Sequence, residues 1–273
     1  IVKRVASLFG ADLVGICAHD ERWVYTQRYA RHAGEGRPVG LPDGLTSVVV
    51  VGQAMDHDLV DTVPSALSSA AVGLGYSKDA LVLLATAQWL RNLGYQAVPS
   101  LNDTALAIPL AIQAGLGEYG RHGLVITPEF GPRVRFGKIF TDAPLDHDAP
   151  VEFGVSAFCE VCRRCTDACP PKAIPDGEPS PVKLNRSAIG GVRKWSVDGE
   201  KCFSYWTQIV TDCMICMRVC PYNKDFSRWR HRVGRRLAAT GLRRLMLRLN
   251  DRLGYGERLR PREWWAGGTR HRT

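Results

Sequence analysis

The sequence predicts an α/β or α+β core followed by a ferredoxin-like iron–sulfur domain. Over the first 150 residues, short β-branched runs alternate with amphipathic segments, the pattern of strands and helices packed in layers. Eight of the nine cysteines lie between residues 159 and 220, and arginine dominates the end of the chain. We therefore predict a core over residues 1–150, a ferredoxin-like cluster domain over 151–225 and an Arg-rich helical extension over 226–273.

The composition is that of a globular protein, with 45% hydrophobic and 23% charged residues in 273. A chain of this length can bury a full core without disulfides. No apolar run approaches the roughly 18 residues of a membrane span, so we expect none. The chain starts at Ile1 rather than Met. We therefore expect a natural start, and with it any signal peptide, to precede it.

The first elements follow from local patterns. A helix is expected over 1–9 and a strand over 13–17, which would bury Cys17 as an inert thiol. The β-branched run 48–51 predicts a buried strand. Ser77 is a candidate N-cap for a helix over 78–92.

The following elements complete the core. Residues 95–98, closed by Pro99, predict a strand, and the segment 102–104 can cap a helix that runs to Gln113. Further strands are expected over 124–127 and 134–140, separated by a turn-rich stretch.

A glycine-rich loop follows the second predicted helix, with Gly115, Gly117, Gly120 and Gly123. Such glycines allow positive φ and a close approach of the backbone to a flat ligand. Their spacing is not the dinucleotide-binding fingerprint, because the loop does not open a helix after a strand. On its residues alone, a tight structural turn explains the loop equally well.

The cysteines form two groups with a ferredoxin rhythm. The first is Cys159-x2-Cys162-x2-Cys165-x3-Cys169-Pro170, and the second is Cys213-x2-Cys216-x3-Cys220-Pro221 with Cys202 upstream. This is the bacterial spacing for [4Fe–4S] clusters, in which the fourth Cys of a run binds the other cluster. We therefore assign Cys159, Cys162, Cys165 and Cys220 to one cluster, and Cys169, Cys202, Cys213 and Cys216 to the other. Zinc sites and disulfides are the alternatives, but they do not require this rhythm.

The net charge of +9 resides in the last segment. Residues 226–273 hold 14 Arg and 3 acidic residues, a balance of +11, which leaves −2 for the rest. Leucines recur along it at helical spacing, at 237, 242, 245, 249 and 253. We expect a docked amphipathic helix. Contact with a membrane surface or acidic partner, and contact with nucleic acid, are the alternatives.

A series of motifs resembles the catalytic subunit of corrinoid-dependent reductive dehalogenases over about residues 45–265. The series comprises Gly94-Tyr95, Pro99-Ser100-x-Asn102-Asp103, Ile108-Pro109-Leu110-Ala111, the stretch Ala114 to Gly123, the stretch Ile126 to Arg135, Thr141-Asp142-x-Pro144-Leu145, and the closing Gly254-Tyr255-Gly256 with Trp264-Trp265. The resemblance implies a nitroreductase-like core that holds a cobamide, fed with electrons by two [4Fe–4S] clusters. No Asp-x-His-x-x-Gly motif is present, in keeping with the family's base-off cofactor.

The resemblance also implies roles for individual residues. Tyr76 matches the family's proton donor, Arg135 the basic residue beside it, and Asn102 a polar residue of the same pocket. A phenol has a pKa of about 10 and is a poor acid at neutral pH, so a guanidinium that stabilises the phenolate is useful. Contacts with the cobamide are expected from the loop residues Gly117, Gly120, Arg121 and Gly123.

Partners and location are implied in the same way. We expect a small organohalide substrate, a separate electron donor, a small membrane-anchor protein and no nucleic acid. The resemblance favours the outer face of the cytoplasmic membrane, reached by twin-arginine export, over the cytoplasm. An epoxyqueuosine reductase-like enzyme is one alternative, because Cys220-Pro221-Tyr222-Asn223-Lys224 resembles that family too. A non-catalytic electron carrier is the other.

Overall fold

The computed structural model describes residues 1–28, 36–185 and 187–268. The chain divides into two compact units. Unit 1 comprises Ile1–Ala54, Gly75–Gly117 and Val134–Val151, and unit 2 comprises Met55–Leu74, Glu118–Arg133 and Glu152–Thr273. Along the chain, unit 1 ends for the last time at Val151, next to the boundary expected at residue 150. Two segments that precede this boundary, Met55–Leu74 and Glu118–Arg133, nevertheless belong to unit 2.

The elements of the described residues are as follows. The strands are β1 Leu13–Ala18, β2 Gln27–Arg28, β3 Arg37–Pro38, β4 Ser47–Ala54, β5 Ala97–Ser100, β6 Glu118–Tyr119, β7 Val125–Ile126 and β8 Val134–Thr141. The helices are α1 Val2–Leu8, α2 His57–Asp61, α3 Ala66–Asn92, α4 Ala107–Gln113, α5 Val155–Val161, α6 Arg164–Ala168, α7 Gly199–Ile209, α8 Ile215–Arg218, α9 Trp229–Ala238, α10 Arg243–Arg252 and α11 Pro261–Trp265.

The main sheet of unit 1 has four strands in the order β1-β4-β8-β5. Every neighbouring pair is antiparallel, with Val50 opposite Lys138 and Gln53 opposite Arg135 between β4 and β8. An antiparallel sheet with helices against it is an α+β arrangement, so of the two predicted classes the structure has the second.

The core of unit 1 lies between this sheet and α3. The continuous valine run of β4 is fully buried, as a central strand covered on both faces requires. From α3, Val82, Leu83, Ala87 and Leu90 pack in one cluster with Val49, Val51 and Ile139 of the sheet. The predicted strands 13–17, 48–51 and 134–140 are thereby confirmed, and Cys17 is buried in β1.

Helix α3 begins at Ala66, so the prediction that Ser77 caps a helix from residue 78 is wrong. Gly73 and Gly75 lie inside this helix, and a glycine there costs only about 1 kcal/mol. Burial of Ala71 and Val72 in a cluster with Met214 and Ile215 outweighs that cost. By length and composition alone α3 could cross a membrane. Its residues 75–92 belong to unit 1 and pack into the core there, and a core helix of this kind passes the same test.

Two further predicted boundaries are corrected. Strand β5 covers residues 97–100, so Pro99 lies inside the strand rather than after it. Pro99 is tolerated because β5 is an edge strand. Helix α4 begins at Ala107 without a side-chain cap, so Asn102 is not the N-cap that the sequence suggested. Its side chain is used elsewhere.

Unit 2 carries the cysteine motifs on short helices. Helices α5 and α6 carry Cys159 and Cys165, and α7 and α8 carry Cys202 and Cys216. The other four cysteines lie in the turns between or beside these helices. Such short elements wrap loops around a centre rather than form a large core of their own.

The C-terminal extension forms two main helices, α9 and α10, and of the five leucines predicted to dock only Leu237 is half-buried, while the other four are exposed. Leu242, Leu245, Leu249 and Leu253 are between 38% and 70% exposed. Instead, Met246 and Leu247 pack against the core of unit 2. The buried face of α10 therefore lies part of a helical turn away from the predicted leucine stripe. Residues 269–273 of the predicted extension lie outside the described residues.

Candidate active site and cluster-binding cysteines

Tyr76, Asn102 and Arg135 meet in unit 1. The Asn102 Nδ2 donates a hydrogen bond to the Tyr76 hydroxyl at 3.0 Å. The Arg135 guanidinium carbon lies 3.4 Å from the centre of the Tyr76 ring, which is a stacked cation–π contact. Tyr76 remains 37% exposed. We call these three residues the polar trio.

The trio is positioned by the passage of α3 across β8. Gly137 lies where the two elements touch, because a Cβ there would be 2.5 Å from Leu83 Cδ1 and 2.6 Å from Asp79 Oδ1. Arg135 is two residues before Gly137 on the same face of the strand, and Tyr76 is one helical turn before Asp79. Asn102 follows the neighbouring strand β5.

Buried polar groups stand behind the trio, and sequence patterns did not reveal them. Asp79 is 2% exposed, and both side-chain polar atoms of the fully buried Gln53 lack a hydrogen-bond partner. Lys138 is fully buried and donates to the carbonyls of Leu101 and Ala105, the latter at 3.0 Å. The one available signal was that Asp79 lies one helical turn from Tyr76.

The eight predicted cluster ligands are free thiols in unit 2. Cys159, Cys162, Cys165, Cys169 and Cys220 are buried, and the others are half-buried. Burial raises the pKa of Cys159 to about 12 and that of Cys162 to about 11. Such thiols become thiolates only with a cationic partner such as iron, so the donor set suits cluster ligation.

The proximity of the thiols follows the crossed assignment. Burial raises the pKa of Cys220 most, and the neighbouring Cys159 and Cys162 raise it further, with a smaller contribution from Cys165. The pKa of Cys202 is raised most by burial and next by the neighbouring Cys213 and Cys169. Cys165 is close to both groups, because it also raises the pKa of Cys216 and packs with Cys169.

Within the described residues, no three His, Cys, Asp or Glu side chains converge closely enough to hold a single metal ion. The crossed assignment therefore rests on spacing, burial and proximity, and it stays a prediction.

The glycine-rich loop is shaped by internal packing. A Cβ on Gly120 would be 2.8 Å from His122 Cε1, and one on Gly123 would be 2.9 Å from Val197 Cγ2. Gly123 also has a φ of +80°. Gly117 is buried at the end of the unit 1 segment. Gly120 and Gly123 thus need glycine for reasons of internal packing, and the contact of all three glycines with a cobamide stays a prediction.

Arg121 of the same loop points into unit 2. Its guanidinium donates to the carbonyls of Cys159, Pro175, Asp176 and Gly177 and lies 4.7 Å from the Trp195 ring. The side chain is thus committed to its own unit. If Arg121 contacts a cobamide as predicted, its backbone rather than its side chain makes the contact.

Comparison with known proteins assigns both regions. Residues 36–145 match the family model described as reductive dehalogenase subunit, and residues 158–223 match the model of a 4Fe-4S double cluster binding domain. The chain is 38% identical over 276 residues to a tetrachloroethene reductive dehalogenase of Desulfitobacterium hafniense, across 86% of this chain and 49% of that protein. A tetrachloroethene reductive dehalogenase of Sulfurospirillum multivorans is 33% identical, across 97% and 58%.

Solved structures agree with these sequence matches. The catabolic reductive dehalogenase NpRdhA has a TM-score of 0.84 at 27% identity, across 94% of this chain and 36% of that one. Epoxyqueuosine reductase from Streptococcus thermophilus has a TM-score of 0.56 at 18% identity, across 81% and 65%, which is a likeness of fold alone. The chain spans about half the length of the curated relatives that it matches.

The fold and the thiols define the class: an iron–sulfur protein with a double [4Fe–4S] domain joined to an α+β unit. Within that class, the chain belongs to the reductive dehalogenase family.

Proposed function

We propose that this chain carries the catalytic machinery of a reductive dehalogenase. In this reaction an organohalide takes up two electrons and one proton, the carbon–halogen bond breaks, a carbon–hydrogen bond forms and halide leaves. The observation that carries the proposal is the polar trio, in which an accessible phenol is held by an amide and stacked on a guanidinium. The relatives named for tetrachloroethene support the same reaction class.

The trio's residues divide the work on the proton. Tyr76 donates its hydroxyl proton to the carbon that loses the halide. Asn102 fixes the hydroxyl through its amide hydrogen, and its bond strengthens as the oxygen becomes negative. Arg135 stabilises the phenolate that remains, because its charge lies against the ring.

A cobamide fits the exposed trio, since the phenol and the amide are free to face a bound group. When bound, it would supply a reduced cobalt centre for breaking the carbon–halogen bond, and one solved neighbour is a reductive dehalogenase whose structure suggests a mechanism for B12-dependent dehalogenation. We assign its contacts to the loop residues Gly117, Gly120 and Gly123 and the backbone of Arg121. The nitroreductase-like description of unit 1 belongs to this proposal. So does the crossed arrangement of two [4Fe–4S] clusters, which deliver the electrons.

The substrate is proposed to be a small halogenated organic compound. One solved neighbour is in complex with 3-bromo-4-hydroxybenzoic acid. A separate electron donor, a small membrane anchor, and twin-arginine export to the outer face of the membrane complete the proposal. The exposed leucines of α10 and the Arg-rich composition of α9 and α10 suit an anionic membrane surface.

The epoxyqueuosine reductase alternative has weaker support. Such an enzyme from Lactococcus garvieae is 30% identical over 142 residues, across 46% of this chain and 34% of that protein. The likeness in structure is of fold alone.

Halide release tests the proposal. Protein loaded with iron, sulfide and cobamide is mixed anaerobically with a reduced viologen dye and with tetrachloroethene or 3-bromo-4-hydroxybenzoate, and halide is measured. We expect Tyr76→Phe to lower the rate at least about a hundredfold, the usual scale for a lost general acid. The control is Tyr25→Phe, because Tyr25 is a phenol of unit 1 with 38% exposure.

Three results would contradict this function. Halide release that survives Tyr76→Phe would place the proton elsewhere. Reduction of an epoxyqueuosine-modified tRNA stem loop without halide release would favour the alternative enzyme. Dye oxidation with neither product would identify an electron carrier.

A further inference from the structure

A buried carboxyl lies directly behind the polar trio. Asp79 is 2% exposed, and its Oδ1 has no hydrogen-bond partner. A Cβ on Gly137 would be 2.6 and 2.9 Å from the two carboxyl oxygens, so the carboxyl rests on the backbone of β8. Only a glycine at position 137 leaves room for it.

One cation, Arg135, projects from the face of β8 that Asp79 packs against, and a second, Lys138, projects from the opposite face of the strand. Lys138 is fully buried and its ammonium is held by the carbonyls of Leu101 and Ala105. Arg135 lies two residues before Gly137, on the same strand face, and stacks on Tyr76. From its own helix, the titratable groups near Asp79 are Tyr76 and the exposed Lys78. Across the sheet from Arg135 stands Gln53, which is uncharged. Asp103 acts on Lys138 rather than on Asp79.

Burial raises the pKa of Asp79 to about 7, while Lys138 and, less strongly, Arg135 oppose the rise. Burial lowers the pKa of Lys138 to about 8. The carboxyl therefore changes its charge within the neutral range, where Lys138 is still mostly protonated. Because Lys138 lies on the opposite face of β8 and is held there by two carbonyls, Arg135 is the cation that Asp79 shares with Tyr76.

We propose that Asp79 is a positioning residue for Arg135, and that its proton sets how much of the guanidinium's charge serves Tyr76. The inference rests on the proposed function, since it assigns the control of the same proton donor. With Asp79 neutral, the charge of Arg135 is available to the phenolate. With Asp79 ionised, carboxylate and phenolate compete for one cation. We therefore expect dehalogenation to weaken as pH rises through neutrality.

Aspartate titration tests the contact without using activity. The holoprotein is labelled with ¹³C at aspartate Cγ, and the Asp79 signal is identified by its loss in Asp79→Asn. We expect this signal to titrate near pH 7, far above exposed aspartates at about 4. Arg135→Met should move its titration to higher pH, because a cation that favours the carboxylate is gone. Titration with the exposed carboxyls, or no response to Arg135→Met, would overturn the proposal.

The pH profile of halide release tests the consequence. Asp79→Asn keeps the size of the side chain and removes its charge, so its activity should persist where the wild type declines. We expect the ratio of variant to wild-type rate to grow about tenfold between about pH 6 and about pH 8, the factor for one pKa unit of coupling. The control is Asp142→Asn, whose carboxylate accepts a hydrogen bond from Gln96 N. A parallel profile in Asp79→Asn and wild type would show a merely structural carboxyl and overturn the proposal.

The two measurements also separate this inference from the proposed function. If Asp79 responds to Arg135 but no halide is released from any substrate, the proposed function fails while the contact stands. If halide is released and Asp79 ignores Arg135, only the inference fails. Should Asp79→Asn not fold, the effect of Arg135→Met on the most alkaline aspartate signal still decides.

Discussion

Arg135 acts on Tyr76 both through its positive charge and through the stacking of its planar guanidinium on the ring, 3.4 Å from the ring centre. Substitutions at Arg135 can separate these two effects. Arg135→Lys keeps a cation but loses the planar contact, whereas Arg135→Met loses both. We expect the Lys variant to keep part of the halide-release rate and the Met variant to lose at least about a hundredfold, as for removal of one electrostatic stabiliser. Rates are compared at full iron and cobalt content.

A matched substitution controls for the loss of an arginine. Arg22 lies over the Trp23 ring at 5.5 Å in an exposed part of unit 1. Arg22→Met therefore removes a cation–π pair that does not include the trio, together with the ion pair to Asp20, and should leave the rate unchanged. If the Lys and Met variants of Arg135 both matched the wild type, Arg135 would have no role in proton donation.

At the scale of elements, the crossing of α3 over β8 depends on Gly137. Its missing side chain leaves room for Leu83 and Asp79, and a methyl group there would be only 2.5 Å from Leu83 Cδ1. Both neighbours come from a helix that is packed into the core, so neither can move far. We expect Gly137→Ala to lower the free energy of unfolding by about 1–3 kcal/mol, the range for an overpacked core, in a denaturant titration.

Gly73→Ala is the contrasting variant on the same helix. A Cβ at Gly73 would meet nothing within 4 Å, so the substitution should stabilise the helix by about 1 kcal/mol through propensity. If Gly137→Ala lowers the free energy of unfolding and Gly73→Ala raises it, the space around each glycine determines the effect of the substitution, and not the loss of a glycine as such. A stable Gly137→Ala protein would mean that α3 lies further from β8.

For the molecule as a whole, the crossed cluster assignment has a test in pairs of substitutions. Cys169 and Cys213 belong to one proposed cluster, so Cys169→Ala with Cys213→Ala should leave about four iron atoms, one cubane. Cys220→Ala with Cys213→Ala touches both proposed clusters and should leave almost none. Iron and acid-labile sulfide are measured after anaerobic purification.

The reverse pattern would establish uncrossed clusters, each built from consecutive cysteines. Cys17→Ala is the control, because Cys17 is 2% exposed in β1 of unit 1 and lies outside the cluster motifs. Its variant should keep about eight iron atoms.

How much the sequence could predict differs between these scales. The buried strand β4 was predictable because a continuous run of β-branched residues has few alternatives. Cysteine spacing predicted the cluster domain, because ligands in one loop must follow the geometry of their cluster. The trio came from resemblance to a family, and the structure brings its three side chains into contact.

The errors arose where a local signal competed with burial. Ser77 and Asn102 both have cap chemistry, but Ser77 lies within α3 and Asn102 bonds Tyr76. The leucine stripe of α10 has helical spacing, and yet Met246 and Leu247 face the core. The burial of Asp79 and Gln53 could not be predicted, because no local sequence pattern shows that a polar side chain is buried.

Arg121 has a consequence for how readily one of the proposed clusters is reduced. Its guanidinium donates to four neutral carbonyls, one of them that of Cys159, and no carboxylate is among those partners. Its positive charge thus stands beside the cysteines of the first motif and favours their thiolates. Reduction adds negative charge to a cluster, so this cation should raise the midpoint potential of the cluster that the crossed assignment gives to Cys159. We therefore expect Arg121 to make that cluster easier to reduce than it would be beside a neutral side chain.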